Sequence, residues 1–248
     1  MPQPKLSRIG GLPAVAALFQ CSPERAERLF FDERMKAQAE PMCKLMAAAR
    51  KPFRLVSTEE LTKVAGTPLH GGIVVVCQPR PLASFEAVKS FNWAKAGQPL
   101  VILDGIGNPH NLGAIARTMA FFGLPRLIVS DHPGQALPSD AAYRVSEGGL
   151  EWVEVLRASA MDKTLQRLKP HYRVIGTALG AHRPINDVFS NNDKPLALVL
   201  GNEEEGLPAA TQAACDEIVT IGGSGRVQSL NVSATAAILI HLLAAGAG

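Results

Sequence analysis

Two glycine-rich turns hold most of the residues in this chain whose types and spacing could do chemistry. Gly201-Asn202-Glu203-Glu204-Glu205-Gly206 follows the apolar run Leu196–Leu200. Ile221-Gly222-Gly223-Ser224-Gly225-Arg226-Val227-Gln228-Ser229-Leu230-Asn231-Val232-Ser233 follows Ile218–Ile221 and leads into a small-residue stretch, Ala234–Ala245. Glycine lets backbone N–H and C=O groups come close to a bound molecule, and a helix N-terminus favours negative charge. Two such turns at strand ends make a ligand cleft. Ser229 and Asn231, bracketing Leu230, add side-chain donors and acceptors to it.

A third stretch adds a fixed positive charge. Between Asn111 and Gly123, Arg117 is the single charged residue in a segment built largely of Leu, Ala, Ile, Met and Phe. An arginine there either snorkels to the surface or points into a site that needs permanent charge. Gly113, one helical turn earlier, is expected to leave room beside it. Asn111 reads locally as a helix N-cap or as a site residue. Glu203 lies nearest its strand end and is expected to aim inward, with Glu204 and Glu205 as solvated charge. His110, beside Asn111, reads as structural or as a support behind the site residues.

Familiar nucleotide sites fit poorly. Gly105-Ile106-Gly107 follows a strand, and Asp131 lies after the next one, but His110 stands where the third glycine of a dinucleotide fingerprint belongs. Residues 222–229 lack the Gly-Lys-Ser/Thr ending of a phosphate-binding loop. Neither a nicotinamide cofactor nor a nucleoside triphosphate is expected.

The elements that must position these residues can be read from pattern. Residues 11–20 read as a helix, Ser22-Pro23-Glu24 as the start of another, and Pro41–Arg50 as a third. Ser57-Thr58-Glu59-Glu60 forms a capping box before Leu61–Val64, and Ile73–Cys77 is a buried strand. Gln78–Pro99, with its prolines, reads as a linker that holds a short helix. From Leu100 the chain alternates: strands at Leu100–Leu103, Leu127–Val129, Arg173–Thr177, Leu196–Leu200 and Glu217–Ile221, helices at Leu112–Phe122, Asp162–Leu168, Pro208–Ala214 and Ala234–Ala245. Apolar strands separated by helices mean a parallel sheet covered on both faces, with ligands at the carboxyl ends of its strands. The expected division is a small α/β unit over residues 1–78, a linker over 79–98 and a larger α/β domain over 99–248.

Composition narrows the class. Of 248 residues, 47% are hydrophobic, which supports a buried core. Residues 1–80 carry 12 Lys/Arg against 7 Asp/Glu, a modestly basic unit suited to a polyanion; the remainder has 13 against 15. Cys21, Cys43, Cys77 and Cys215 are far apart, so neither a metal site nor a disulfide framework is expected. No apolar run reaches the roughly 20 residues that span a bilayer, and Phe19-Gln20 does not suit a cleavage site. A reduced, cytoplasmic protein without membrane or metal partners is the expectation.

Taken together, Asn111-x-Gly113-x-x-x-Arg117, Gly201-x-Glu203-x-x-Gly206-Leu207 and Ile221-x-x-x-Gly225-x-x-x-Ser229-Leu230-Asn231-Val232-Ser233 resemble the three motifs of the SpoU/TrmH family of RNA ribose methyltransferases. The N-terminal unit, from Gly11-Leu12-Pro13-Ala14-Val15 through His70-Gly71-Gly72-Ile73, is similar to the ribosomal-protein-L30e-like RNA-binding domain often attached to that family. The resemblance implies an α/β domain with a C-terminal trefoil knot, an exception to the rule against threaded chains. It implies transfer of a methyl group from S-adenosyl-L-methionine to a ribose 2′-hydroxyl of rRNA or tRNA, by a homodimer. Thr177, Gly201, Asn202, Gly206, Ile221 and Leu230 would hold the cofactor. Arg117 would be the catalytic arginine, able to serve a site shared across the dimer interface, with Asn111, Glu203, Ser229 and Asn231 ordering the site. Because a guanidinium keeps its proton to above about pH 12, the expected role of Arg117 is to clamp phosphate and stabilise a developing alkoxide rather than to act as base. The family usually has Pro-Met after the third motif's isoleucine, where this chain has Gly222-Gly223. A looser cofactor loop follows, and with it the alternative of a non-catalytic RNA-binding descendant.

Overall fold

The computed structural model describes residues 6–179, 185, 188, 193–202 and 205–245. The N-terminal unit is a four-stranded sheet ordered β1-β4-β2-β3, formed by β1 (Ser7–Gly10), β2 (Ala26–Phe31), β3 (Phe53–Leu55) and β4 (Ile73–Cys77). β4 runs antiparallel to both β1 and β2, and its Ile-Val-Val-Val-Cys run supplies the apolar centre. Helices α1 (Leu12–Cys21), α2 (Lys36–Ala48) and α3 (Thr58–Ala65) complete it. Ser57 caps α3 as its sequence implies, its hydroxyl accepting from the Glu60 N–H at 3.2 Å.

The helix expected from Ser22-Pro23-Glu24 is a single 3₁₀ turn, Pro23–Arg25, followed at once by β2. Two local signals compete there. Pro23 starts a turn, but Ala26, Leu29 and Phe31 are buried and pair with β4, and sheet packing outweighs helix propensity.

The larger unit is a seven-stranded sheet, parallel throughout, ordered β11-β9-β10-β6-β7-β8-β5. Its strands are β5 (Ala83–Ser84), β6 (Leu100–Asp104), β7 (Arg126–Ser130), β8 (Glu154–Ala158), β9 (Arg173–Thr177), β10 (Leu196–Gly201) and β11 (Glu217–Val219). Between them lie α4 (Ala87–Lys95), α5 (Pro109–Phe121), α6 (Asp140–Ser146), the short α7 (Gly149–Trp152), α8 (Met161–Leu168), α9 (Ala209–Ala214) and the closing α10 (Val232–Ala245). β6 and β10 are buried along their whole length, as strands covered on both faces must be. The strand order reverses between β6 and β10, a switch point of the kind that opens a crevice at the carboxyl ends of the strands.

The stretch read as a linker is laid onto this sheet. β5 pairs with β8 at the sheet edge, and α4 packs against α8. The guanidinium of Arg126 lies 4.0 Å from the centre of the Trp93 ring, and the Tyr172 hydroxyl donates to the Ser90 carbonyl at 3.2 Å.

The two units share a packed seam at the elbow between α6 and α7. A Cβ on Gly148, whose φ is +93°, would sit 2.7 Å from Cβ of Ala17, so this glycine permits both the turn and the approach of α1. Arg25 and Glu151 form a buried ion pair at 2.8 Å. Arg80 donates to the carbonyls of Leu150 and Val153, and the Asp140 carboxylate accepts from the Arg8 backbone N–H at 3.0 Å. One apolar core runs through both units, from Ile9 and Val75 to Leu103 and Leu127.

Candidate functional site

A cavity of about 830 Å³ opens at the carboxyl ends of β9, β10 and β11. It is lined by Thr177 and Leu179 at the end of β9, by Gly201, Asn202, Glu205 and Gly206 at the end of β10, and by residues 219–225 and 227–230. Val232, Thr235 and Leu239 of α10 form part of its wall.

Backbone makes this cleft narrow. A Cβ on Gly201 would stand 2.5 Å from Gly206 C and Leu207 N, so only glycine lets the 201–207 turn fold against its own strand. Asn202 and Gly206 close the turn with two reciprocal backbone hydrogen bonds of 3.0 Å. The Asn202 side chain accepts from the Glu205 N–H and donates to the Gly105 carbonyl, tying the turn to the end of β6. Gln212 donates to the Leu207 carbonyl at 2.8 Å, and buried Asp104 accepts from the Thr211 hydroxyl at 2.6 Å. The sequence gives no sign of Asp104, Thr211 or Gln212, because polar residues that meet only through β6 and α9 leave no local pattern.

Among the described lining residues Glu205 is the one charged side chain. Glycines 201, 206, 222, 223 and 225 expose main-chain groups to the cavity. Glu205, expected as solvated charge, is exposed and stands at the border of the cavity. Glu203 lies outside the described residues. Ile221, Ser229 and Leu230 line the cavity, and Thr177 does so at its strand end, where its hydroxyl turns to the Val199 carbonyl at 3.4 Å.

α5 begins earlier than expected. Asn108 caps it, its side chain accepting from the His110 N–H at 2.8 Å, with Pro109 in the first turn. Asn111 is therefore not the cap. It is buried, 8% exposed, and its Oδ1 accepts from Asn231 Nδ2 at 3.3 Å. Asn231 in turn accepts from the N–H and hydroxyl of Ser233 at 2.8 and 2.6 Å, which fixes the start of α10. The first and third motifs thus meet through two asparagines.

Arg117 stands apart from the cavity of its own chain. Six residues beyond Asn111, about 9 Å along the helix, its side chain is 57% exposed and ion-paired with Glu147 at 2.9 Å. The expected convergence of all three stretches within one chain is met for Asn111, Gly201, Ser229, Leu230 and Asn231, and not for Arg117. Gly113 also has a different role from the one expected. A Cβ there would lie 2.5 Å from the Ala142 carbonyl oxygen, so the missing side chain admits α6 and leaves no room for Arg117.

Burial pushes both the Cys77 and the Cys215 thiol up to about 12, so neither is a thiolate near neutral pH.

Comparison with known proteins places this geometry. Residues 98–241 match the SpoU rRNA Methylase family, and residues 8–83 match the RNA 2′-O ribose methyltransferase substrate binding family. The chain is 33% identical over 239 residues to the 23S rRNA (guanosine-2′-O-)-methyltransferase of Acinetobacter baylyi, covering 93% of this chain and 94% of that one. It is 30% identical over 236 residues to the protein of the same description from Haemophilus influenzae, covering 94% and 95%. The crystal structure of an AdoMet-bound rRNA methyltransferase from Sinorhizobium meliloti superimposes with a TM-score of 0.76 at 20% identity, over 96% of this chain and 86% of that one, which shows a common fold. Motifs, sheet order and full-length similarity agree, and the chain belongs to the SpoU rRNA methylase family.

Proposed function

We propose that this chain transfers the methyl group of S-adenosylmethionine to a ribose 2′-hydroxyl of ribosomal RNA. The observation that carries the reading is the full-length similarity to 23S rRNA guanosine-2′-O-methyltransferases, joined to a cleft of glycine backbone with no cationic side chain among its described walls. When bound, the cofactor supplies an electrophilic sulfonium methyl. Gly201, Asn202, Gly206, Ile221 and Leu230 hold it through main-chain groups, with Thr177 at the β9 end. Ser229, Asn231 and Asn111 order the 2′-hydroxyl, and Glu203 belongs to the same set. Alignment of hydroxyl and methyl supplies much of the rate.

Arg117 enters this site from a second copy of the chain. Support comes from exposed apolar residues on two helices that pack together: Phe121, one turn further along α5, is 82% exposed, and Ile238 on α10 is exposed as well. The Phe122 and His241 rings, 5.5 Å apart, join the two helices there. A homodimer across α5 and α10 covers these residues and brings a guanidinium to the phosphate beside the target ribose, where it stabilises the developing alkoxide. The same reading includes a trefoil knot formed by the chain after β11, an N-terminal unit over residues 1–78 that grips RNA, and action in the cytoplasm. Support for the knot is the path of α10, which leaves edge strand β11 and packs on α5 and β10.

Mixed dimers test the shared site. Arg117→Ala and Asn231→Ala are each expected to be inactive on 23S rRNA from cells lacking the gene, and an equal mixture to regain about a quarter of wild-type activity, because one of the two sites in each heterodimer stays whole. A mixture as inactive as its parts refutes the shared site. Calorimetry with S-adenosylmethionine separates the reading from a non-catalytic RNA-binding protein, which shows no binding at millimolar cofactor.

A further inference from the structure

Glu147 holds an unusual backbone position beside Arg117. It ends α6 with φ 45° and ψ 43°, in the left-handed region, and its N–H donates to the Arg144 carbonyl. Helices commonly end this way, but the residue is usually glycine, because a Cβ is disfavoured there. Gly148 follows, also left-handed at φ +93°. A carboxylate thus occupies a place where glycine fits better. Non-glycine residues kept in this region cluster at functional sites.

The elbow that carries Glu147 is pressed against the backbone of α5. A Cβ on Gly149 would lie 2.8 Å from both the Ala116 carbonyl oxygen and Arg117 Cα, and one on Gly113 would lie 2.5 Å from the Ala142 carbonyl oxygen. These two close approaches fix the distance between the Glu147 and Arg117 backbones. The ion pair they set up is 2.9 Å long, with side chains 57% and 48% exposed. At that exposure a pair adds little to stability. Its physical consequence is orientation: Glu147 Oε2 meets the Nη2 end of the guanidinium, and a guanidinium has further N–H donors to offer a phosphate.

We infer that Glu147 is a positioning residue, which holds the Arg117 guanidinium in the direction from which it meets RNA phosphate at the site of a second copy. The inference rests on the role of Arg117 given above. Without the carboxylate, the arginine side chain samples many rotamers and must be ordered anew at each turnover. The loss falls on kcat more than on the affinity for RNA, which is set over the whole RNA-binding surface.

The test uses the full-length enzyme, tritiated S-adenosylmethionine and 23S rRNA from cells lacking the gene. For Glu147→Gly, kcat is expected to fall about 10- to 30-fold, the scale of freeing one arginine side chain, with KM for rRNA within about threefold. Tm is expected to hold or to rise by about 2 °C, because glycine relieves the left-handed residue. Glu147→Gln keeps an acceptor oxygen at the same reach and is expected to retain at least about a third of wild-type kcat. Glu147→Gly at wild-type kcat overturns the inference. So does a Glu147→Gln variant as slow as Glu147→Gly, which makes the carboxylate a proton acceptor instead, and so does a loss of kcat matched by a fall in Tm. Arg117→Ala, measured alongside, separates the two levels. Wild-type turnover in that variant removes the role of Arg117 itself, whereas an inactive Arg117→Ala beside normal Glu147 variants removes only the orienting role.

Discussion

A methyl group placed at residue 201 is expected to damage cofactor binding before it damages anything else. In Gly201→Ala the new Cβ lies 2.5 Å from Gly206 C and Leu207 N, where ordinary contact begins at 3.4 Å. The 206–207 peptide must retreat by about 1 Å, and it is main chain held by two 3.0 Å hydrogen bonds to Asn202, so it cannot swing aside as a side chain would. Overpacking of this kind costs about 1–3 kcal/mol, which for a chain of this size lowers Tm by about 2–12 °C. The displaced turn also loses one or two backbone contacts to the ligand at about 1 kcal/mol each, so Kd for S-adenosylmethionine rises about 5- to 30-fold. Gly222→Ala is the control. No atom lies within 4 Å of its Cβ and its φ is not left-handed. That substitution is expected to stabilise by about 0.4–1 kcal/mol through the unfolded chain and to hold or tighten binding. Calorimetric titration and scanning calorimetry on both variants decide the matter. If Gly201→Ala binds within twofold of wild type at unchanged Tm, or if Gly222→Ala weakens binding as much, the cleft is not built from backbone as argued here.

Three further outcomes are expected. Glu151→Ala leaves Arg25 buried without its partner and costs about 3–5 kcal/mol in denaturant unfolding, much of it recovered when both residues are replaced by apolar ones of similar volume. His70 is buried, accepts from the Gly72 N–H and meets the Thr62 hydroxyl; burial, opposed in part by the Asp32 carboxylate and aided by Arg34, holds its pKa below the ordinary histidine value. The unfolded chain therefore binds the extra proton, and stability present above about pH 6.5 is lost as pH falls towards the depressed folded value. Tm is expected to drop between pH 7.5 and 5 in wild type and to drop less in His70→Gln. Asp32, whose carboxyl the Arg34 side chain holds below the usual range, contributes only at lower pH. Phe121→Glu places charge among the exposed apolar residues of α5 and α10 and is expected to give a monomer by sedimentation velocity, with methylation reduced by about 100-fold or more.

The parallel sheet and the two glycine turns were legible because each leaves a local mark, uniform β-branched strands and glycine at a strand end; that Asn111 and Asn231 belong to one site came from the family resemblance, and their direct hydrogen bond came only with the structure. What was missed depends on partners distant in sequence. β2 looked like a helix start because its pairing with β4 is non-local. Gly113 looked like space for Arg117, yet only the three-dimensional path of α6 shows that Ala142 fills it. Glu147 carried no signal, because a glutamate before two glycines reads as an ordinary turn.

The seam between the two units sets a reach. Arg25, Arg80 and Arg8 clamp the smaller unit to the elbow of α6 and α7, and that elbow is seated on α5 through Gly113 and Gly149. On the proposed reading, in which the smaller unit would grip RNA, that unit and the helix that carries Arg117 form a single caliper of fixed span. Target choice would then be partly a matter of length, a nucleotide being modified when it lies one span from the structure being gripped. Grafting another relative's N-terminal unit onto this chain would reset that span, unless residues 139–153 travelled with it.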